Sequence, residues 1–134
     1  MAIARQTDGT STVAWKTKPA PTNADPSKPC TFTWVAGLGY TSEHSGKFTL
    51  FLGEQPLLNL DVTGRDAIWH SADGKTTLKY TVKSANEQDS SGVMELTIPA
   101  RLLKPGEAAE LRIVGSARGS RRWFGLYEVG DFTP

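Results

Sequence analysis

The 134 residues, with fifteen basic and fourteen acidic side chains and a net charge of +1, suit one domain and lack the basic excess of a general nucleic-acid binder. Hydrophobic residues at 38% and charged residues at 22% describe a globular chain rather than a disordered one. A single cysteine, Cys30, excludes an internal disulfide framework, and Cys30 with only two histidines, His44 and His70, argues against a zinc site.

From the N-terminus, Met1–Gly9 has little to bury and is expected to be a loose terminus. MAIARQTDGT holds no leader-length apolar stretch, and no run approaches the roughly 20 apolar residues of a membrane helix. Strands are predicted over Thr10–Trp15, Thr31–Gly37, Lys47–Gly53, Leu57–Val62, Ala67–Ser71, Thr76–Ser84, Gly92–Pro99, Ala109–Gly115 and Trp123–Val129. Leu78, Tyr80 and Val82 interleave with Thr77, Lys79 and Thr81 at period two, as in a half-buried strand. The stretch 16–30, with Pro19, Pro21, Pro26 and Pro29, reads as an extended surface connection, leaving 10–134 as one domain. Pro105-Gly106 makes the segment after Pro99 a turn rather than a helix. Eight or nine short strands bounded by turn signals predict an all-β antiparallel sandwich or jelly roll.

Counting these strands up and down places four polar connections at one end: GLGYTSEHSG, TGRD, SANEQDSS and SARGSRR. The Asp73-Gly74 turn falls at the other end, since Asp-Gly tolerates the positive φ of a tight hairpin. Long loops on a rigid sandwich are where binding sites gather. The candidate ligand-binding residues are Tyr40, His44, Arg65, Asp66, Trp69, Asn86, Glu87, Asp89, Arg118, Arg121, Arg122 and Trp123. Their amides, carboxylates and guanidinium groups can meet paired sugar hydroxyls with bidentate hydrogen bonds. The rings of Tyr40, Trp69 and Trp123 offer a flat surface to a pyranose, and the arginines of 118–122 a fork for a uronate or sulfate. Trp34, mid-strand in TFTWVAG, is expected in the core.

Catalysis finds less support. Glu87 and Asp89 share one loop, whereas a glycosidase sets its two carboxylates across a cleft. No G-x-S-x-G elbow is present, and Gly37-Leu38-Gly39 lacks the rest of a dinucleotide fingerprint. Asn86, Glu87 and Asp89 carry oxygens suited to calcium but without the D-x-D-x-D-G spacing, so no cofactor is expected, with a structural calcium as the open alternative.

The succession TVAWKTKPAP, TFTWVAGLGY and DSSGVMELTIPARLLKPGEAAELRIVGSARGSRRWFGLY resembles accessory β-sandwich modules of secreted bacterial polysaccharide-degrading enzymes, of the galactose-binding-like carbohydrate-binding type. The likeness is carried by Phe32, Trp34, Gly92, Met94, Leu96, Pro99 and the Leu103-Lys104-Pro105-Gly106 turn, which are structural positions. It implies a non-catalytic module, exported with a parent enzyme and binding a polysaccharide; charge and the short apolar runs leave neither nucleic acid nor membrane as an expected partner, and the expected state is a monomer. The alternatives are a spacer or docking domain without glycan affinity and a small polysaccharide lyase or hydrolase.

Overall fold

The computed structural model describes residues 2–6, 12–20, 22, 25, 27–39, 46–87, 89–115 and 122–133, with backbone only at 2–6, 12–13, 39, 46, 89 and 122–133. The chain is all-β. Its strands are β1 Ala2–Gln6, β2 Thr12–Lys16, β3 Pro29–Gly39, β4 Gly46–Leu52 and β5 Gln55–Val62, then β6 Ala67–His70, β7 Thr77–Ala85, β8 Asp89–Pro99, β9 Glu110–Gly115 and β10 Arg122–Thr133. A 3-10 turn, Ala100–Leu102, follows β8.

Two antiparallel sheets face each other, one in the order β1-β10-β3-β8-β7-β6 and the other β2-β9-β4-β5. Without the β6–β7 hairpin, β1-β10-β3-β8 opposes β2-β9-β4-β5. That interleaving of early and late strands is the double Greek key of a jelly roll. The hairpin extends the first sheet beyond β8.

Alternation builds the core. Cys30, Phe32, Trp34, Ala36 and Leu38 of β3 point inward, as do Met94, Leu96 and Ile98 of β8 and Leu78 and Tyr80 of β7. Phe48 and Leu50, Leu58, Leu60 and Val62, and Leu111 and Ile113 meet them from the second sheet. Trp34 is 2% exposed and packs beside Phe32, and Trp15 stands edge-on to it with ring centroids 5.3 Å apart.

Three features differ from the sequence expectation. Ala2–Gln6, expected to be loose, pairs with β10, whose backbone supplies hydrogen bonds that local composition does not reveal. The proline-rich connection does more than run over the surface, because Thr17 and Ala20 are buried. Ala20 exchanges backbone hydrogen bonds with Gly106 and Glu107, while the Thr17 N–H donates to the Ala109 carbonyl and the Thr17 side-chain oxygen accepts the Ala109 N–H, binding the connection to the Pro105-Gly106 turn. Finally, β3, β8 and β10 run past their predicted ends, and the strands number ten among the described residues.

Candidate functional site

The registers define a rim. Gly39 of β3 pairs with Asp89 of β8, Leu38 with Phe124 of β10, Ala85 of β7 with Ser90, and Gln6 of β1 with Arg122. In the other sheet, Gly46 pairs with Val62, Phe48 with Gly115, and Thr12 with Val114. The connection 63–66 joins the two sets of strand ends, since Val62 leads through it to Ala67. Strand ends flanking 7–11, 40–45, 63–66, 86–88 and 116–121 therefore lie at one end of the sandwich.

The connection 63–66 is pinned from beneath. Gly64 takes φ +74°, a conformation glycine adopts at low cost, and its carbonyl accepts a hydrogen bond from the buried Ser90 hydroxyl. Ser90 Oγ is also 2.9 Å from the Tyr80 hydroxyl. One residue past Arg65, Asp66 Oδ1 accepts the Val82 backbone N–H at 2.7 Å. The β7–β8 ladder shifts register between Val82 and Ser84, so the Asp66 carboxylate serves a backbone donor beside an irregularity. Arg65 thus stands exposed between two anchored neighbours, with Lys83, Asn86 and Glu87 exposed along the end of β7.

The structure brings Arg65, Asp66, Asn86 and Glu87 to this rim and sets the backbone of Asp89, Arg122 and Trp123 at rim strand ends. Tyr40, His44, Arg118 and Arg121 lie outside the described residues. Trp69 departs from expectation. It pairs with Leu78, near the opposite end of β6, and is half-buried against the core. Alternation explains this, because Ala67 and Trp69 share the inward face while Ile68 and His70 are exposed. Trp34 is in the core.

Lys83, Tyr80, Ser90 and Gly64 were not among the sequence candidates. The signal for Tyr80 was its inward parity beside Leu78, because a buried phenol needs a hydrogen-bond partner. Ser90 was hidden by its place in a polar run that serves as strand here. Among the described residues no group of three or more His, Cys, Asp and Glu side chains could hold a metal ion. Burial pushes the Cys30 thiol above its usual range, which disfavours the reactive thiolate.

Fold and rim together define an antiparallel jelly-roll sandwich that presents a charged, hydrogen-bonding end. No family model matches the chain, and neither a curated protein nor a solved structure is significantly similar to it.

Proposed function

We propose that this sandwich is a non-catalytic carbohydrate-binding module that seats a polysaccharide on the rim and brings an attached, exported enzyme to it. The observation that carries the reading is Arg65, exposed between Gly64 and Asp66, which are tied to β8 and β7. Fixing the backbone on both sides lowers the ordering cost when a guanidinium meets sugar hydroxyls or a uronate. Asn86, Glu87 and Lys83 add donors and acceptors nearby. The sequence resemblance to carbohydrate-binding modules points the same way, and the arginines of 118–122 favour an acidic polymer.

Affinity electrophoresis in gels of neutral, uronate-rich and sulfated polysaccharides tests this. Wild type is expected to be retarded, most strongly in acidic gels and at low salt. Arg65→Ala, Tyr40→Ala and the pair Arg121→Ala/Arg122→Ala are expected to lose retardation with little change in melting temperature. Undiminished binding in all three would remove the site from the rim.

A spacer or docking domain is the second reading, favoured by Trp34 and Trp69. Both are turned inward, and no described rim side chain offers an exposed aromatic face. Absence of retardation by every polymer supports it, and product release from a polymer supports a lyase or hydrolase instead.

A further inference from the structure

The outer face of the four-stranded sheet carries a second arrangement suited to an acidic sugar. Arg112 lies mid-way along β9, opposite Ala14 of β2 and Phe51 of β4. Leu111 and Ile113 are fully buried, so alternation turns Arg112 outward. Its guanidinium carbon stands 4.8 Å from the centroid of the Phe51 ring, within cation–π range. The side chain is 29% exposed, and Nε is buried without a hydrogen-bond partner among the described residues.

Charge pairing on this face singles Arg112 out. Lys16 stands opposite Glu110, and Lys47 opposite Asp61, whereas both cross-strand neighbours of Arg112 are uncharged. The carboxylate that approaches it belongs to Glu54, in the turn after β4. Glu54 is 98% exposed, and its Oε2 lies 4.0 Å from Nη2, too far for a hydrogen bond. Stacking on Phe51 therefore orients a planar fork whose described carboxylate is distant and loosely held. Beside it, Thr49 donates to Asn59 Oδ1 at 3.1 Å, and the Asn59 amide nitrogen carries two further donors.

We propose that Arg112, stacked on Phe51, is the carboxylate-reading residue of a second glycan subsite on the outer face of β9 and β4, selective for uronate sugars. The proposal rests on the glycan-binding reading above but not on the rim being its only surface. A uronate carboxylate replaces Glu54 and takes two parallel N–H bonds from the guanidinium edge, a match that planar carboxylate and planar guanidinium make best.

The test is affinity electrophoresis in polygalacturonate, dextran sulfate and neutral galactan, with wild type, Glu54→Gln, Arg112→Gln, Arg112→Lys and Arg65→Ala run together. Glu54→Gln removes the internal competitor and is expected to bind polygalacturonate more tightly than wild type. Arg112→Gln and Arg112→Lys are expected to bind it about tenfold more weakly, since lysine keeps charge and stem but not the fork. Glu54 is exposed, so its variant reports even if Arg112→Gln unfolds. Equal affinity of wild type, Glu54→Gln and Arg112→Lys for polygalacturonate overturns the subsite, while loss of binding in Arg65→Ala alone leaves the rim reading standing. Equal retardation by dextran sulfate overturns the uronate selectivity. Wild type unretarded in every gel overturns both readings.

Discussion

Tyr80 and Ser90 join the core of the sandwich to its rim through hydroxyl groups 2.9 Å apart. Ser90 has one hydroxyl proton and donates it to the Gly64 carbonyl, so Tyr80 is the donor to Ser90. Ser90→Ala leaves both the phenol and the Gly64 carbonyl without this partner and is expected to cost about 2 kcal/mol in urea unfolding. Tyr80→Phe leaves the Ser90–Gly64 bond in place and is expected to cost less. A reversed ranking would refute the assigned donor direction.

Gly92 is required by sterics rather than by backbone conformation. A Cβ built there would lie 2.1 Å from the Thr81 carbonyl oxygen and 2.9 Å from its carbon, both backbone atoms of the neighbouring strand. Neither can move without opening the β7–β8 ladder. Gly92→Ala is expected to cost about 3 kcal/mol or more, read as a large fall in melting temperature.

Trp34 fills the space between Trp15 and Phe32 with its ring almost wholly out of water. Trp34→Ala is expected to cost about 3–5 kcal/mol by chemical denaturation, much of a small domain's stability. An unchanged unfolding curve combined with lost polysaccharide retardation would make Trp34 a ligand platform instead.

Acid sensitivity is expected to include the Ser71–Thr76 turn. The Ser71 hydroxyl donates to Asp73 Oδ1 at 2.6 Å and the Lys75 backbone N–H at 2.9 Å, holding this carboxyl below its ordinary value of 3.8. A lowered folded-state value means the contribution is present above the ordinary value and is lost as pH falls through the lowered one. Asp73→Asn is therefore expected to be less stable than wild type at neutral pH, with the gap closing in strong acid. A gap that stays constant with pH in thermal melts would show that the charge of Asp73 plays no part.

Period-two alternation by itself determined that the chain is all-β and which side of most strands is buried. Leu78 and Tyr80, or Leu96 and Ile98, declare their face because the pleat is a local property of the backbone. The Asp73-Gly74 turn was legible for the same reason, since Gly74 takes φ +72° and that demand is local. The rim polar residues Arg65, Asp66, Asn86 and Glu87 could be gathered by counting strand directions. Only the tertiary structure decided that Ala2–Gln6 is a strand, because its partner β10 lies at the far end of the chain. It also decided that Trp69 faces the core and that Ser90 and Tyr80 support the rim. It alone set Arg112 over Phe51, two residues more than sixty positions apart. Strand pairing and side-chain contact depend on hydrogen bonds and packing between distant segments, and a sequence displays its local periodicity but not the partner each segment meets.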